Sequence, residues 1–424
     1  MVDGNADAIA IDNRLNELHR RLEQCRETFI GFPVSLAFDY RELLPFFNQM
    51  MNNAGDPFID HAFRNHTKDM EREVIEFFAD LFRAPADDRW GYVTNGGSES
   101  NLYALYLARS LYPNGMVYHS TAAHYSVDKA IDILGMPSTA VRCDDRGEID
   151  YDDLAEALRP QRFRPAIIFA NVGTTMTEAV DDVHKIKQTL RSLTIRDSFI
   201  HADAALCGIP LALREPRPRF DLADGADSIS FSGHKFIGSP VPCGVVLTRA
   251  SLSKRIGRTS PIVGSPDTTI TGSRSGHGPL VLWYVIHKYG LAGLRERAEE
   301  ARDVATYALD RLTGIGWSAW RNPDALTVVL RKPPDAIVSR WMLATSEGVS
   351  HIVCVPGVTR TQIDEFVADL AATEEAQAVR SGQEEPVVVP AVFADQHAPA
   401  TVGTTAPHRK LRHPVPVGGY PATA

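Results

Sequence analysis

Cysteine is scarce in this chain: five in 424 residues, at Cys25, Cys143, Cys207, Cys243 and Cys354, with no Cys-x-x-Cys spacing. An odd and scattered set excludes a disulfide framework and points to buried thiols in a reducing compartment. Metal-ligand spacing is missing too, since His61 and His66 lie five apart and not at the four-residue spacing of a zinc-binding helix face. The formal net charge of −9 leaves no basic footprint for nucleic acid. No apolar run approaches the roughly 20 residues of a membrane helix. The start, Met1-Val2-Asp3-Gly4-Asn5-Ala6-Asp7, is acidic and unlike the basic start of a secretory signal. These absences exclude nucleic-acid and membrane partners and make the cytoplasm the default location.

What remains, with 44% hydrophobic and 23% charged residues, can bury a large core and divide into more than one domain. Short apolar runs at Gly115 to His119, Ala166 to Asn171, Phe199 to Asp203, Ser228 to Phe231 and Gly244 to Thr248 alternate with helical patterns. That alternation predicts an α/β fold, a mostly parallel sheet with helices on both faces and ligands at the carboxyl ends of the strands. Ahead of it, Asp12 to Arg26 sets Leu15, Leu18, Leu22 and Cys25 on one helical stripe, to be packed on a partner subunit or on its own domain. A second helix is expected from Met70 to Phe82, with Val74, Phe77, Phe78 and Leu81 buried. After Gly290 the pattern changes to a helix from Ala292 to Leu312, strands within Trp317 to Leu330 and at Ile352 to Val355, and a helix near Thr361 to Leu370. The expected division is an N-terminal helical segment 1–50, a large domain 51–290, a smaller α+β domain 291–372 and a polar, flexible tail 373–424.

Within this frame one lysine is badly placed for packing. Asp227-Ser228-Ile229-Ser230-Phe231-Ser232-Gly233-His234-Lys235 reads as a buried strand that turns at Gly233 and presents Lys235 to a cleft. A bare ammonium there is costly, and a neutral amine or an imine with a carbonyl cofactor is cheaper. A second strand ends in Asp203, 32 residues earlier, with the small Ala205 just beyond. A lysine for the imine and a carboxylate for a ring nitrogen are the pair that pyridoxal phosphate requires. Ala205 is small enough to lie flat under such a ring. Upstream, Thr94-Asn95-Gly96-Gly97-Ser98 precedes an amphipathic run, and glycines at a helix start suit a phosphate dianion.

The motifs Thr94-Asn95-Gly96-Gly97-Ser98-Glu99-Ser100-Asn101, His124-Tyr125-Ser126, Gly173-Thr174-Thr175, His201-Ala202-Asp203-Ala204-Ala205, Ser232-Gly233-His234-Lys235 and Gly272-Ser273-Arg274-Ser275-Gly276 occur in this order. The series resembles the group II pyridoxal-phosphate-dependent amino-acid decarboxylases, and within them the bacterial histidine decarboxylases, from about Phe38 to about Gly290. The resemblance implies an aminotransferase-like fold type I and a homodimer with shared active sites. It makes Lys235 the cofactor-binding lysine, Asp203 the partner of the pyridine nitrogen and His124 the imidazole stacked on the cofactor. Gly97, Ser98, His234 and Ser232 become cofactor-anchoring positions. Thr174 or Thr175 is placed near the phenolic oxygen or the substrate carboxylate, the choice between them being open. The Ser273 turn is expected to reach the phosphate from the other subunit, with the N-terminal helix clasping the dimer.

The reaction implied is loss of carbon dioxide from an amino acid to leave an amine, with orientation selecting the bond that breaks. Histidine is the first substrate expected, with apolar amino acids such as methionine or valine close behind. His66 of Phe63-Arg64-Asn65-His66 stands at the substrate pocket where these enzymes more often carry asparagine. Many relatives supply the Cα proton from a tyrosine on a mobile loop, and Arg258 to Asp267 has none. Water, His234 and Tyr420 remain, the last held between a glycine pair and a proline in a tail of a kind that ordinarily does nothing specific. Two rival classes are a cysteine desulfurase or related lyase or aminotransferase of the same fold, and a cofactor-free binding protein. The first typically has glutamine three residues after the aspartate, where this chain has Leu206. The second leaves Lys235 and Asp203 without a use.

Overall fold

The computed structural model describes residues 8–59, 64–260, 265–374 and 376. Seven strands form the main sheet: β1 (Trp90–Thr94), β2 (Met116–Ser120), β3 (Ser138–Val141), β4 (Ala166–Asn171), β5 (Ser198–Asp203), β6 (Ser228–Ser232) and β7 (Gly244–Thr248). Their order is β1-β7-β6-β5-β4-β2-β3, and β7 alone runs antiparallel to its neighbours. β1, β2, β4, β6 and β7 are buried at every residue, as a sheet covered on both faces requires. The edge strand β3 buries only Val141.

The first four α-helices are α1 (Ala8–Thr28), α2 (Lys68–Leu81), α3 (Gly97–Leu111) and α4 (Ser126–Leu134), of which α3 and α4 contribute residues to the site. Val74, Phe78 and Leu81 of α2 enter the main core as expected, whereas Phe77 is only half-buried and Ile75 is fully buried. The leucine stripe of α1 finds nothing to pack on within the described residues: Leu15 is 58% exposed and Leu22 52%. Of the five cysteines, Cys207, Cys243 and Cys354 are buried, but Cys25 and Cys143 are only half-buried and correct the expectation that all five are interior.

A hairpin, β8 (Arg258–Ser260) with β9 (Ser265–Asp267), precedes a long helix, His277–Gly314. The sequence pattern starts this helix at Ala292, but it begins 15 residues earlier and breaks at Gly290, whose φ of 60° and ψ of −172° are not helical. Its first half packs Leu282 and Val285 on the main sheet, and its second half packs Ala305, Ala308 and Leu312 on a separate core around Trp341 and Phe366. That second core backs a four-stranded antiparallel sheet of β10 (Ala319–Trp320), β11 (Thr327–Arg331), β13 (Val349–Val353) and β12 (Ala344–Ser346). Among the described residues no helix is long and apolar enough to cross a membrane.

Two connections bring the second sheet to the carboxyl ends of the first. Glu178, fully buried after β4 and held at φ 55°, accepts from the Thr327 amide at 2.8 Å, the Thr327 hydroxyl at 2.6 Å and the Leu326 amide at 3.1 Å. Burial raises its pKa, while these three donors favour the carboxylate. The segment ahead of Phe38 threads between the sheets, where Val353 donates to the Ile30 carbonyl at 2.7 Å and Ser35 donates to the Lys235 carbonyl at 3.1 Å.

Candidate active site

A cavity of about 710 Å³ opens where the carboxyl ends of β4, β5 and β6 face the second sheet. Lys235, Asp203, His124, Gly97, Ser98, Thr174, Thr175, Ala205, Ser232 and His234 all line it. Five stretches of sequence far apart in the chain thus converge on one space. Thr327, Ser346 and His351 form the wall on the small-sheet side, and Phe32 and Pro33 form part of the rim.

Lys235 stands three residues beyond β6, half-buried. Burial pushes its amine below the usual lysine range, against the pull of the Asp203 carboxylate. The chain turns at Gly233 as expected, with the Lys235 amide donating to the Ser232 carbonyl at 3.4 Å, and the glycine also serves space: a Cβ on Gly233 would lie 2.6 Å from Cys243 Sγ. Asp203 closes β5 at 7% exposure, and its two oxygens accept from Asn101 Nδ2 at 2.8 Å and the Ala205 amide at 3.1 Å.

Asn101, which closes the first motif but is given no role by it, is the hub of the cavity floor. Its Nδ2 also lies 3.3 Å from Ser126 Oγ, which bonds His124 Nδ1 at 2.9 Å. Its Oδ1 accepts from Ser230 Oγ at 3.0 Å and from His201 Nε2 at 3.1 Å. Ser228 Oγ then donates to His201 Nδ1 at 2.8 Å, which fixes the neutral tautomer, and burial lowers the pKa of that ring to about 4. One signal could have found it: Asn101 follows Gly97 by four residues on α3, hence on the same helix face.

At the start of α3, Gly96 caps the helix at φ 141°, a conformation open to glycine, and a Cβ on Gly97 would meet Ser232 Oγ at 2.7 Å. The first amides of a helix have no acceptor within it, so this close-set glycine pair is a cradle for an anion. His234 donates from Nδ1 to the Cys243 carbonyl at 3.0 Å, which leaves Nε2 toward the cavity. Of the two threonines, Thr174 spends its hydroxyl on Thr177 at 2.8 Å and the Ala179 amide at 3.0 Å. Thr175 is exposed and has no hydrogen-bond partner among the described residues.

His66 and Ser273 do not line this cavity. His66 accepts the Lys68 amide on Nδ1 at 3.3 Å, and Ser273 accepts from Asn52 Nδ2 at 3.1 Å. Both belong to a knot of loops stitched by the buried pair of Arg274 and Glu71, with Asn53 donating to Glu71 at 2.8 Å. Tyr420, and the tail from 377 onward, lie outside the described residues, as does His61. No group of three or more His, Cys, Asp or Glu able to hold a metal ion occurs among the described residues.

The donor set fits pyridoxal phosphate: an anion cradle at a helix start, a buried carboxylate and a recessed amine around one cavity. Comparison with known proteins agrees. The chain is 45% identical over 358 residues to a histidine decarboxylase of Mesorhizobium japonicum, covering 84% of this chain and 97% of that one. It is 41% identical to a histidine decarboxylase of Morganella morganii over 81% of this chain and 92% of the other. Among solved structures, L-methionine decarboxylase from Streptomyces sp. 590 superposes with a TM-score of 0.80 at 26% identity, covering 87% and 95% of the two chains. Residues 46–315 match the pyridoxal-dependent decarboxylase conserved domain, and the chain belongs to that family of pyridoxal-phosphate-dependent carboxy-lyases.

Proposed function

We propose that this decarboxylase acts on histidine and releases histamine. The observation that carries the reading is the identity of 39 to 45% to relatives named histidine decarboxylase over four fifths or more of the chain. A methionine decarboxylase is the favoured second reading, because an enzyme of that activity shares the fold at 26% identity. Membership of the family sets aside the desulfurase and the cofactor-free binding protein. Incubating the enzyme with each of the twenty amino acids and measuring carbon dioxide tests the substrate. Histidine is expected to give the fastest release, and faster release from methionine or valine overturns it.

When bound, the cofactor supplies a pyridine ring that accepts the electron pair left when carbon dioxide departs. We assign the chain's own residues around it as follows. Lys235, its amine in the cavity, would hold the cofactor through the cofactor's carbonyl carbon. Asp203 would keep a proton on the ring nitrogen, and Asn101 and the Ala205 amide fix its two oxygens. His124, held by Ser126, would pack against the cofactor, and the small Ala205 leaves room for it. Gly97 and Ser98 amides, with Ser232 and His234, receive the phosphate. Thr175, with its unspent hydroxyl, is the better placed threonine to meet a substrate or cofactor oxygen.

The chain is further read as an N-terminal segment 1–50, a cofactor-binding domain 51–290, a small domain 291–372 and a tail 373–424, working in the cytoplasm as a homodimer. Support for the dimer comes from the apolar surface of the N-terminal segment: besides the α1 stripe, Leu44 is 63% exposed and Met50 67%. Unpaired, such a surface is an association site. The knot that carries His66 and Ser273 away from this chain's own cavity suits delivery to a partner's. The active enzyme should therefore sediment at twice the chain mass, and a catalytically competent monomer would refute shared sites.

A further inference from the structure

Departure of carbon dioxide leaves an electron pair that must take up a proton at Cα. The tyrosine-free segment Arg258 to Asp267 cannot supply it from a phenol. His234 is tied through Nδ1 to the Cys243 carbonyl and sits beside Gly96, its ring carbon 3.6 Å from where a Cβ there would be, at the anion-cradle end of the cavity. A different phenol lines the cavity. Tyr125 is the one tyrosine among the described residues that line the cavity, and it follows His124 directly.

Two contacts hold its ring. The His124 imidazole lies 4.2 Å away at a tilt of 41°, and the Lys129 ammonium, one helical turn on, lies over the ring at 4.6 Å. The hydroxyl has no hydrogen-bond partner among the described residues, and the residue is 61% exposed. An aromatic ring fixed on two sides, on an exposed residue that lines the reaction cavity and has an unpaired hydroxyl, is suited to proton exchange and not to packing.

We propose that Tyr125 is the catalytic acid that protonates Cα. This rests on the decarboxylation assigned above and names the residue that completes it. The Cα–carboxylate bond breaks, carbon dioxide leaves, and the Tyr125 O–H bond gives its proton to form the new Cα–H bond. The phenolate then recovers a proton from bulk water, so each turnover consumes one solvent proton for each carbon dioxide released. No oxidant or reductant enters.

The test uses the full-length holoenzyme and the amino acid, of the twenty, from which it releases carbon dioxide fastest. For Tyr125→Phe, kcat should fall by about 100-fold or more while KM, and the affinity of the apoprotein for pyridoxal phosphate followed by absorbance titration, stay within about threefold. A kcat within about threefold of the parent overturns the proposal, as does a parallel loss of cofactor affinity, which would make the ring a wall of the cofactor pocket. If Tyr420→Phe reproduces the kcat loss and Tyr125→Phe does not, the acid is in the tail. A parent enzyme that releases carbon dioxide from no amino acid sinks the decarboxylase reading and this one with it, whereas an active parent with an equally active Tyr125→Phe sinks the tyrosine alone.

Discussion

Lys235→Ala yields a folded protein that releases no carbon dioxide above background. The expected loss is on the order of 10⁴-fold or more, as when other covalent catalysts lose their nucleophile. Stability points the same way. Burial already disfavours the Lys235 ammonium, so its removal relieves a desolvation cost and leaves the apoprotein at least as stable. The apo forms are the right comparison, since a bound cofactor stabilises the native state by mass action. Two measurements decide it: the visible absorbance of the lysine-linked cofactor should vanish, and the melting temperature of the apoprotein should not fall. Near-parental turnover without added amine would take the covalent role from Lys235.

The parts of this molecule most legible in sequence are those where chemistry overrides packing. Lys235 and Asp203 sit at strand ends where neither improves a core, and the glycine pair marks a backbone conformation open to few other residues. Strands Ala166–Asn171 and Gly244–Thr248 match their apolar runs residue for residue. β1 goes unread as a strand because Trp90–Thr94 runs straight into the cradle motif. β3 goes unread because an edge strand with one buried residue in four leaves no apolar pattern. Gly290 reads as a stop because it breaks the helix locally, although packing on two cores carries the helix through it. Asn101 escapes for a deeper reason. Its importance lies in four partners from three other elements, and no local pattern records contacts 25 to 129 residues away.

That hub sharpens the outcome expected for Asp203→Asn. A neutral amide cannot keep the ring nitrogen protonated, and the loss of transition-state stabilisation should be about 2 to 4 kcal/mol. A second, purely structural cost accompanies it. Both Asp203 oxygens accept, so the new NH₂ must face either the Ala205 amide, which is backbone and cannot turn, or the Asn101 NH₂. Asn101 cannot flip to accommodate it, because its own oxygen is committed to Ser230 and His201. One buried donor is left unmatched either way, at a cost of about 1 to 3 kcal/mol. The double variant Asn101→Asp with Asp203→Asn separates the two effects, since a carboxylate at 101 accepts from the new NH₂ and still accepts from Ser230 and His201. Thermal melting should recover much of the lost stability in the double variant while kcat stays low, because the charge has moved away from Asp203. If kcat rises together with stability, Asp203 acts only by holding the floor in shape, and if Asp203→Asn alone lowers the rate by less than about tenfold, it does not hold the pyridine proton.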